Sequence, residues 1–281
     1  MIRSGNWVEA FQPDRSVSGS GKGEKTVDVS DFQGASSPDH PPIDWFDITL
    51  ETPAANLALD EVLLQSVDSN PTRGILRTWS PQQYFVVVGR SNQLETEVNE
   101  PECQAQGVPV FRRASGGGAV AVGPGCLAYT LVLPLTDDMR KQGAVFVTQL
   151  VMNTIAIRLS DLLPGITVRG TSDLVHGDRK FSGNSQRWLR HAFLHHGTIL
   201  YDFDLVRIGQ LLRPPSRQPD YRHQRSHDDF VTNIAVEKSS LIKKLVAAWY
   251  AQPATCNPEL LTQARSLGEG RYESMEWIRD R

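Results

Sequence analysis

The chain has 281 residues, 40% of them hydrophobic and 22% charged, with a formal net charge of −3. That is the composition of an ordinary globular protein of one large domain, or a domain with a small appendage. The charge gives no reason to expect nucleic acid or an anionic membrane as a partner, and no apolar run approaches the roughly 20 residues that span a bilayer. Cys103, Cys126 and Cys256 stand far apart in the sequence without zinc-finger or redox spacing, which predicts a reduced, cytoplasmic chain with no metal site legible in the sequence.

Residues 1–35 lack the apolar segment of a secretory signal, and Glu9, Asp14, Glu24, Asp28 and Asp31 argue against an organellar transit peptide. Residues 13–42 are rich in Ser, Gly, Asp and Pro and cannot bury enough surface to offset their ordering entropy, so residues 1–42 are expected to form a flexible arm. The globular part, 43–281, is expected to begin near Ile43. Leu59, Val62, Leu63 and Val67 recur at helical spacing and predict an amphipathic helix over 55–68. The β-branched runs 84–89, 108–112 and 127–133 predict buried strands. A second helix is expected over 146–163, stopped by Pro164 and Gly165, and a third over 241–250. Strands with interspersed helices and no regular β-α-β repeat predict an α+β, or mixed α/β, domain.

Between two of the strand candidates runs Arg112-Arg113-Ala114-Ser115-Gly116-Gly117-Gly118. Three glycines let a backbone approach a ligand closely and turn its amides toward an anion. Ser115 adds a hydroxyl, and Arg112 and Arg113 add guanidinium forks suited to carboxylate or phosphate. No Gly-Lys-Ser/Thr follows, so this is not a Walker A loop, and a strand rather than a helix comes next, so it is not a dinucleotide fingerprint. A second segment reads Asp173 to Gly183, with a turn at His176-Gly177-Asp178 that places Lys180 at the start of a strand. A lysine so placed can neutralise charge developing on a carbonyl or phosphate. Asp173, across the hairpin, is positioned to orient it or an incoming amine, and Ser182 and Gly183 supply further donors. His195-His196-Gly197-Thr198 then leads into an apolar strand. Together the two segments are expected to bind an activated acyl group.

Taken in order, these segments resemble the lipoate–protein ligase family, within the biotin/lipoyl ligase and octanoyltransferase superfamily. The likeness runs over residues 43–277 and includes Ala58 to Glu61, Val88 to Gln93, Arg112-Arg113 with Ser115 to Val120, Ser172 to Leu174, Arg179 to Gly183, His195 to Leu200, and Tyr272 to Trp277. The resemblance implies a central mixed sheet flanked by helices. It also implies ATP-dependent activation of lipoate to lipoyl-AMP and transfer to a lysine of an acceptor lipoyl-domain protein. Lys180 would meet the reactive carbonyl. Arg113, Ser115, Gly116, Gly117, Gly118, Ala119, Ser182, Gly183, Gly197 and Thr198 would bind substrate or nucleotide. Asp173 would sit near phosphate-bound magnesium or the acceptor amine, and His196 would line the acyl pocket.

The sequence departs from the family pattern after the glycine loop, where Ala121-Val122-Gly123-Pro124-Gly125-Cys126 replaces the usual His-Asp pair and resembles the octanoyltransferases. Cys126 is therefore weighed as a pocket-wall residue, with Arg112, against a nucleophile carrying an acyl thioester. No separate C-terminal accessory domain is evident, so the enzyme is expected to use a separate accessory ligase subunit, to work alone, or to perform only transfer. An ATP-independent octanoyl or lipoyl transferase, and a non-catalytic paralogue that binds lipoyl domains, are the alternative readings.

Overall fold

In the computed structural model, which describes residues 41–280, the chain enters a parallel pair of strands, β1 (Ile43–Asp47) and β2 (Gly74–Trp79), joined by helix α1 (Pro53–Ser69). Thr52 caps α1 by accepting the Ala55 amide at 3.1 Å, and Pro53 occupies the first turn, where its missing N–H costs nothing. Strand β3 (Phe85–Val88) is followed by the short helices α2 (Leu94–Glu97) and α3 (Glu100–Ala105). Then come β4 (Val110–Arg112), β5 (Val120–Val122) and β6 (Cys126–Pro134). Helix α4 (Asp137–Ser160) precedes the antiparallel run β7 (Ile166–Arg169), β8 (Asp173–His176), β9 (Arg179–Trp188) and β10 (Ala192–Leu200). The remainder is α5 (Val206–Leu211), α6 (His227–Phe230), α7 (Lys238–Ala248), β11 (Gln252–Pro253), α8 (Pro258–Leu267) and α9 (Met275–Arg279).

Eight strands form one mixed sheet in the order β11-β1-β2-β6-β10-β9-β8-β7, and a second sheet has the order β4-β3-β5. This is the mixed α/β architecture, a central mixed sheet flanked by helices, expected from the sequence. All nine residues of β6 are buried, which is why it reads as a continuous apolar run rather than an alternating one. Leu127, Tyr129, Leu131 and Leu133 face α4 and α7 in one core. On the opposite face α1 and α8 cover one half of the large sheet, and the small sheet covers the other.

Helix α1 is buried along almost its whole length, so the amphipathic helix expected over 55–68 is a helix sandwiched on both sides. Helix α4 starts nine residues before the expected Phe146, because Thr136 caps an extra turn. Gly143 breaks that extension from the rest with φ 83°, a left-handed conformation glycine adopts without a Cβ clash. By length and composition α4 contains a stretch able to cross a membrane; here Val147, Val151, Ile155 and Leu159 pack it onto the sheet. The N-terminal arm expected over 1–42 lies, up to residue 40, outside the described residues.

His195 and His196 alternate across β10. His195 faces the α4 core, is completely buried, stacks on Tyr129, and neither ring nitrogen has a partner among the described residues. Burial, with the neighbouring His196 charge, holds its pKa down to about 3. The unfolded chain therefore binds one more proton than the native chain between pH 3 and 6.5. Stability falls as pH drops through that window, by up to about 1.4 kcal/mol per pH unit. His195→Leu is expected to flatten this acid slope, as measured by urea unfolding at pH 7, 6, 5 and 4.

Candidate active site

The two sheets enclose a cavity of about 520 Å³, within the range of ligand-binding clefts. Leu57, Trp79, Phe85, Val87, Ala128, Ile208 and Leu212 give it apolar wall, whereas β8, β9 and residues 215–231 give it Asp173, Lys180, Arg217, Arg222 and His227. An apolar tail and an anionic head can thus be held in one space.

The glycine loop crosses the end of β3 between its two neighbours in the small sheet, β4 parallel and β5 antiparallel. Gly89, just after β3, must lack a side chain, since a Cβ there would meet the Gly117 carbonyl oxygen at 1.8 Å. Arg113 is turned back onto its own loop. Its Nε donates to Ser115 Oγ at 3.0 Å and its Nη2 donates to the carbonyls of Gly116 at 2.6 Å and Gly118 at 2.9 Å. Burial lowers its pKa to about 10, and the guanidinium stays charged at neutral pH. Ser185 Oγ donates to the Gly116 carbonyl from β9 at 2.8 Å. With these carbonyls drawn inward, the amides of Gly117 and Gly118 have no partner among the described residues, and both residues line the cavity. The loop thus keeps two amides uncommitted at the cavity, while the Arg113 guanidinium serves as its scaffold.

Behind the loop runs a buried chain of hydrogen bonds. Ser115 Oγ lies 2.6 Å from His196 Nε2, and His196 Nδ1 lies 2.9 Å from Asp60 Oδ2. The other Asp60 oxygen accepts from Arg77 Nη1 at 2.9 Å and Thr130 Oγ1 at 2.7 Å. Burial works to raise the Asp60 carboxyl, but the His196 hydrogen bond and the Arg77 charge outweigh it and hold it below its ordinary value. Arg113 Nε, Ser115 Oγ, His196 and Asp60 thus form one continuous hydrogen-bonded array. The spacing is that of a Ser-His-Asp triad, yet Ser115 is only 1% exposed and stands off the cavity wall. The array locks the loop to α1 and β10 and does not present a nucleophile.

Lys180, the second residue of β9, extends its ammonium to Asp173 Oδ1 at 2.6 Å, and the Tyr221 hydroxyl donates to Asp173 Oδ2 at 2.7 Å. Burial and the Asp173 charge raise the Tyr221 pKa, so the phenol remains a donor. Gly183 leaves room for the lysine, since a Cβ there would lie 2.9 Å from Lys180 Nζ. Gly197 plays a similar part for Asn184, whose Oδ1 sits 1.7 Å from where a Cβ would be. Asn184 then donates to the Ser172 carbonyl at 2.8 Å and receives the Tyr129 hydroxyl at 2.5 Å, which fixes the turn that carries Asp173.

Of the residues singled out in the sequence, Arg113, Gly117, Gly118, Ala119, Asp173, Lys180, Ser182, Gly183, His196, Gly197 and Thr198 line the cavity. Ser115 and Gly116 stand behind it. Arg112 points away, completely buried, donating through Nε to the Ile278 carbonyl and through Nη1 to those of Gly89 and Asn92, each at 2.8 Å. It ties α9 to the turn after β3. Cys126 is buried off the wall, where desolvation pushes its thiol up to about 12. Native protein is expected to leave Cys126 unmodified by iodoacetamide at pH 7.5 and to alkylate it only in urea, as read by peptide mass spectrometry. Asp60, Asn184, Ser185, Tyr221 and Arg222 were not among the sequence candidates. Asp60 had a signal, as one of few carboxylates in a largely apolar helix, and Tyr221 and Arg222 belong to a cation-rich run, 221–230, that could close over a nucleotide.

A family model described as the lipoyl protein ligase A/B catalytic domain matches residues 52–248. A lipoate-protein ligase A of Blochmanniella floridana is 30% identical over 202 residues, 70% of this chain and 57% of that protein. The chain therefore spans less than two thirds of that relative's length. A bi-partite lipoate protein ligase of Thermoplasma acidophilum, described with its E2 lipoyl domain, superposes with TM-score 0.69 at 22% identity, covering 85% of this chain and 96% of that one. A lipoate-protein ligase A bound with ATP superposes with TM-score 0.67 at 22% identity, covering 85% and 98%. At these identities the structural likeness speaks to the fold alone.

Proposed function

The chain belongs to the lipoyl protein ligase A/B catalytic domain family, and from that premise we propose that it activates lipoate with ATP and transfers the lipoyl group to a lysine of a lipoyl-domain protein. The observation that carries this reading is Lys180, which shares one cavity with the unpartnered Gly117 and Gly118 amides and apolar wall from both sheets. Its only ionic partner among the described residues is Asp173.

In the first half-reaction the lipoate carboxylate attacks the α-phosphorus, lipoyl-AMP forms and pyrophosphate leaves. The glycine-loop amides and Lys180 are the donors that meet the negative charge on the reacting phosphate and carbonyl, and they are pre-set by Arg113 and by the Asp60–His196–Ser115 chain. In the second, the acceptor amine attacks the carbonyl and AMP leaves. Lys180 must turn from Asp173 to the ligand for this, which frees Asp173 Oδ1 to take the amine's proton while Tyr221 retains Oδ2. Of the two carboxylates on the cavity lining, Asp60 is taken by Arg77, Thr130 and His196, so magnesium brought with the triphosphate would be met by Asp173, which suits an ion held chiefly by phosphates and water.

The transferase reading needs an activated thiol, and burial raises all three: Cys103 to about 11, Cys126 to about 12, and Cys256 upward. That all three are free and buried fits a reducing, cytoplasmic setting. The deciding experiment is incubation with an apo lipoyl domain and free lipoate, with and without MgATP, followed by intact mass of the acceptor. Modification that depends on ATP is the expected result. Modification from acyl-carrier-bound octanoate alone would overturn the reading.

A further inference from the structure

The Lys180–Asp173 pair joins two neighbouring strands that hold their residues differently. Lys180 lies within β9, whereas Asp173 opens β8 directly after the turn 170–172, where Gly170 adopts φ 58°. Glycine's freedom in that region leaves the turn to be set by whatever its other polar groups bind. Asn184 binds them. Its Nδ2 donates to the Ser172 carbonyl at 2.8 Å and to Ser182 Oγ at 3.1 Å, and Ser172 Oγ donates back to the Asn184 carbonyl at 2.7 Å. The Ser172 carbonyl can only accept, so it fixes which way the carboxamide faces and leaves Oδ1 to the Tyr129 hydroxyl.

Asn184 and Tyr129 stand on either side of Gly197, in one row across β9, β10 and β6. The carboxamide crosses the missing side chain of Gly197, with Oδ1 1.7 Å and Cγ 2.6 Å from where a Cβ would be. Tyr129 is 1% exposed and burial raises its pKa, so in the 2.5 Å contact the phenol is the donor. Both Nδ2 protons are committed to the protein, and Asn184 has no donor left for a ligand although it lines the cavity. A carbonyl, a hydroxyl and a phenol meeting at one side chain require two donors and an acceptor in one plane, which a primary amide supplies.

The glycine loop is held by other means. Arg113, Ser185 and the Ser115–His196–Asp60 array fix it through contacts that do not run through the Asn184 side chain. Activation can therefore proceed on the loop amides and Lys180. Transfer asks more of the turn. Once Lys180 swings to the ligand, Asp173 keeps only the Tyr221 hydroxyl, on Oδ2, and the place of Oδ1 then depends on the backbone that carries it. A misplacement of about 1 Å at a reacting group costs on the order of 10²-fold.

We propose that Asn184 is a positioning residue for the second half-reaction: through the Ser172 turn it holds Asp173 where the acceptor amine delivers its proton, with Tyr129 fixing the carboxamide. In that step the amine nitrogen bonds the acyl carbon and its proton passes to Asp173 Oδ1. The bond from the acyl carbon to the phosphate oxygen breaks, and its electrons leave on AMP. This role rests on the acyl-adenylate reading above and assigns this part of β9 to one of its two half-reactions.

The test uses the full chain and measures the half-reactions apart. The first is the burst of pyrophosphate released from ATP and lipoate without acceptor. The second is single-turnover transfer from supplied lipoyl-AMP to an apo lipoyl domain without ATP, read by intact mass. Asn184→Leu keeps the branching of the side chain and removes its polar atoms. It is expected to slow transfer about 10- to 100-fold, while lipoyl-AMP formation stays within about threefold and the acceptor concentration for half-maximal rate within about twofold. Tyr129→Phe, which removes one hydroxyl and keeps the buried ring, should slow transfer a few-fold with the same selectivity, and it carries the test if Asn184→Leu does not fold. Transfer at the wild-type rate in both variants, or equal slowing of the two half-reactions, overturns the role. If the wild-type protein forms no lipoyl-AMP from ATP yet transfers supplied lipoyl-AMP in a way that needs Asn184, the role stands and ATP-dependent ligation falls.

Discussion

Lys180→Ala is expected to reduce acceptor modification by about 10²- to 10³-fold or more, the scale of losing one pre-set donor to a developing oxyanion, with little change in stability. The reason for the split lies in the geometry. The lysine is 27% exposed in its side chain, and its ion pair to Asp173 is partly solvated. Such a pair is worth about 0–1 kcal/mol. Asp173 keeps the Tyr221 hydroxyl in any case. Lys180→Arg should not restore activity, because a planar fork cannot pivot from Asp173 to a carbonyl as a compact ammonium can. Single-turnover modification alongside urea unfolding checks both halves. A variant with more than a tenth of wild-type activity would remove Lys180 from the reaction.

Arg77→Met carries the opposite signature, a large loss of stability. Arg77 is fully buried, donating to Asp60 Oδ1 at 2.9 Å, to the Asn56 carbonyl at 2.9 Å and to the Ile48 carbonyl at 3.1 Å, and it lies over the Trp79 ring. Its removal strands Asp60 without a countercharge, and breaking a buried pair from one side costs about 3–5 kcal/mol. The shift should appear as a lower urea midpoint with an unchanged slope. Pairing Arg77→Met with Asp60→Leu should recover much of the stability but not the activity, because His196 then loses the oxygen that orients it and the glycine loop its anchor. Full activity in the double variant would show that the Asp60–His196–Ser115 chain is not used.

Local pattern was enough for some of this protein. Helix α1, strands β3 and β6, the tight β8–β9 turn and the exposed-backbone glycine loop all follow from periodicity, β-branching and glycine placement, which act over a few residues. The family motifs located Lys180, Asp173 and the glycine loop for the same reason, since each is a short run with its own chemistry. What only the tertiary structure decided is which groups are free. Arg112 and Arg113 read alike in the sequence as anion-binding forks, yet one spans to α9 and the other closes on its own loop, because backbone carbonyls from distant segments arrive at their donors. Sequence specifies a side chain's capacity for hydrogen bonds and charge. The fold decides how much of that capacity is already spent before a ligand arrives.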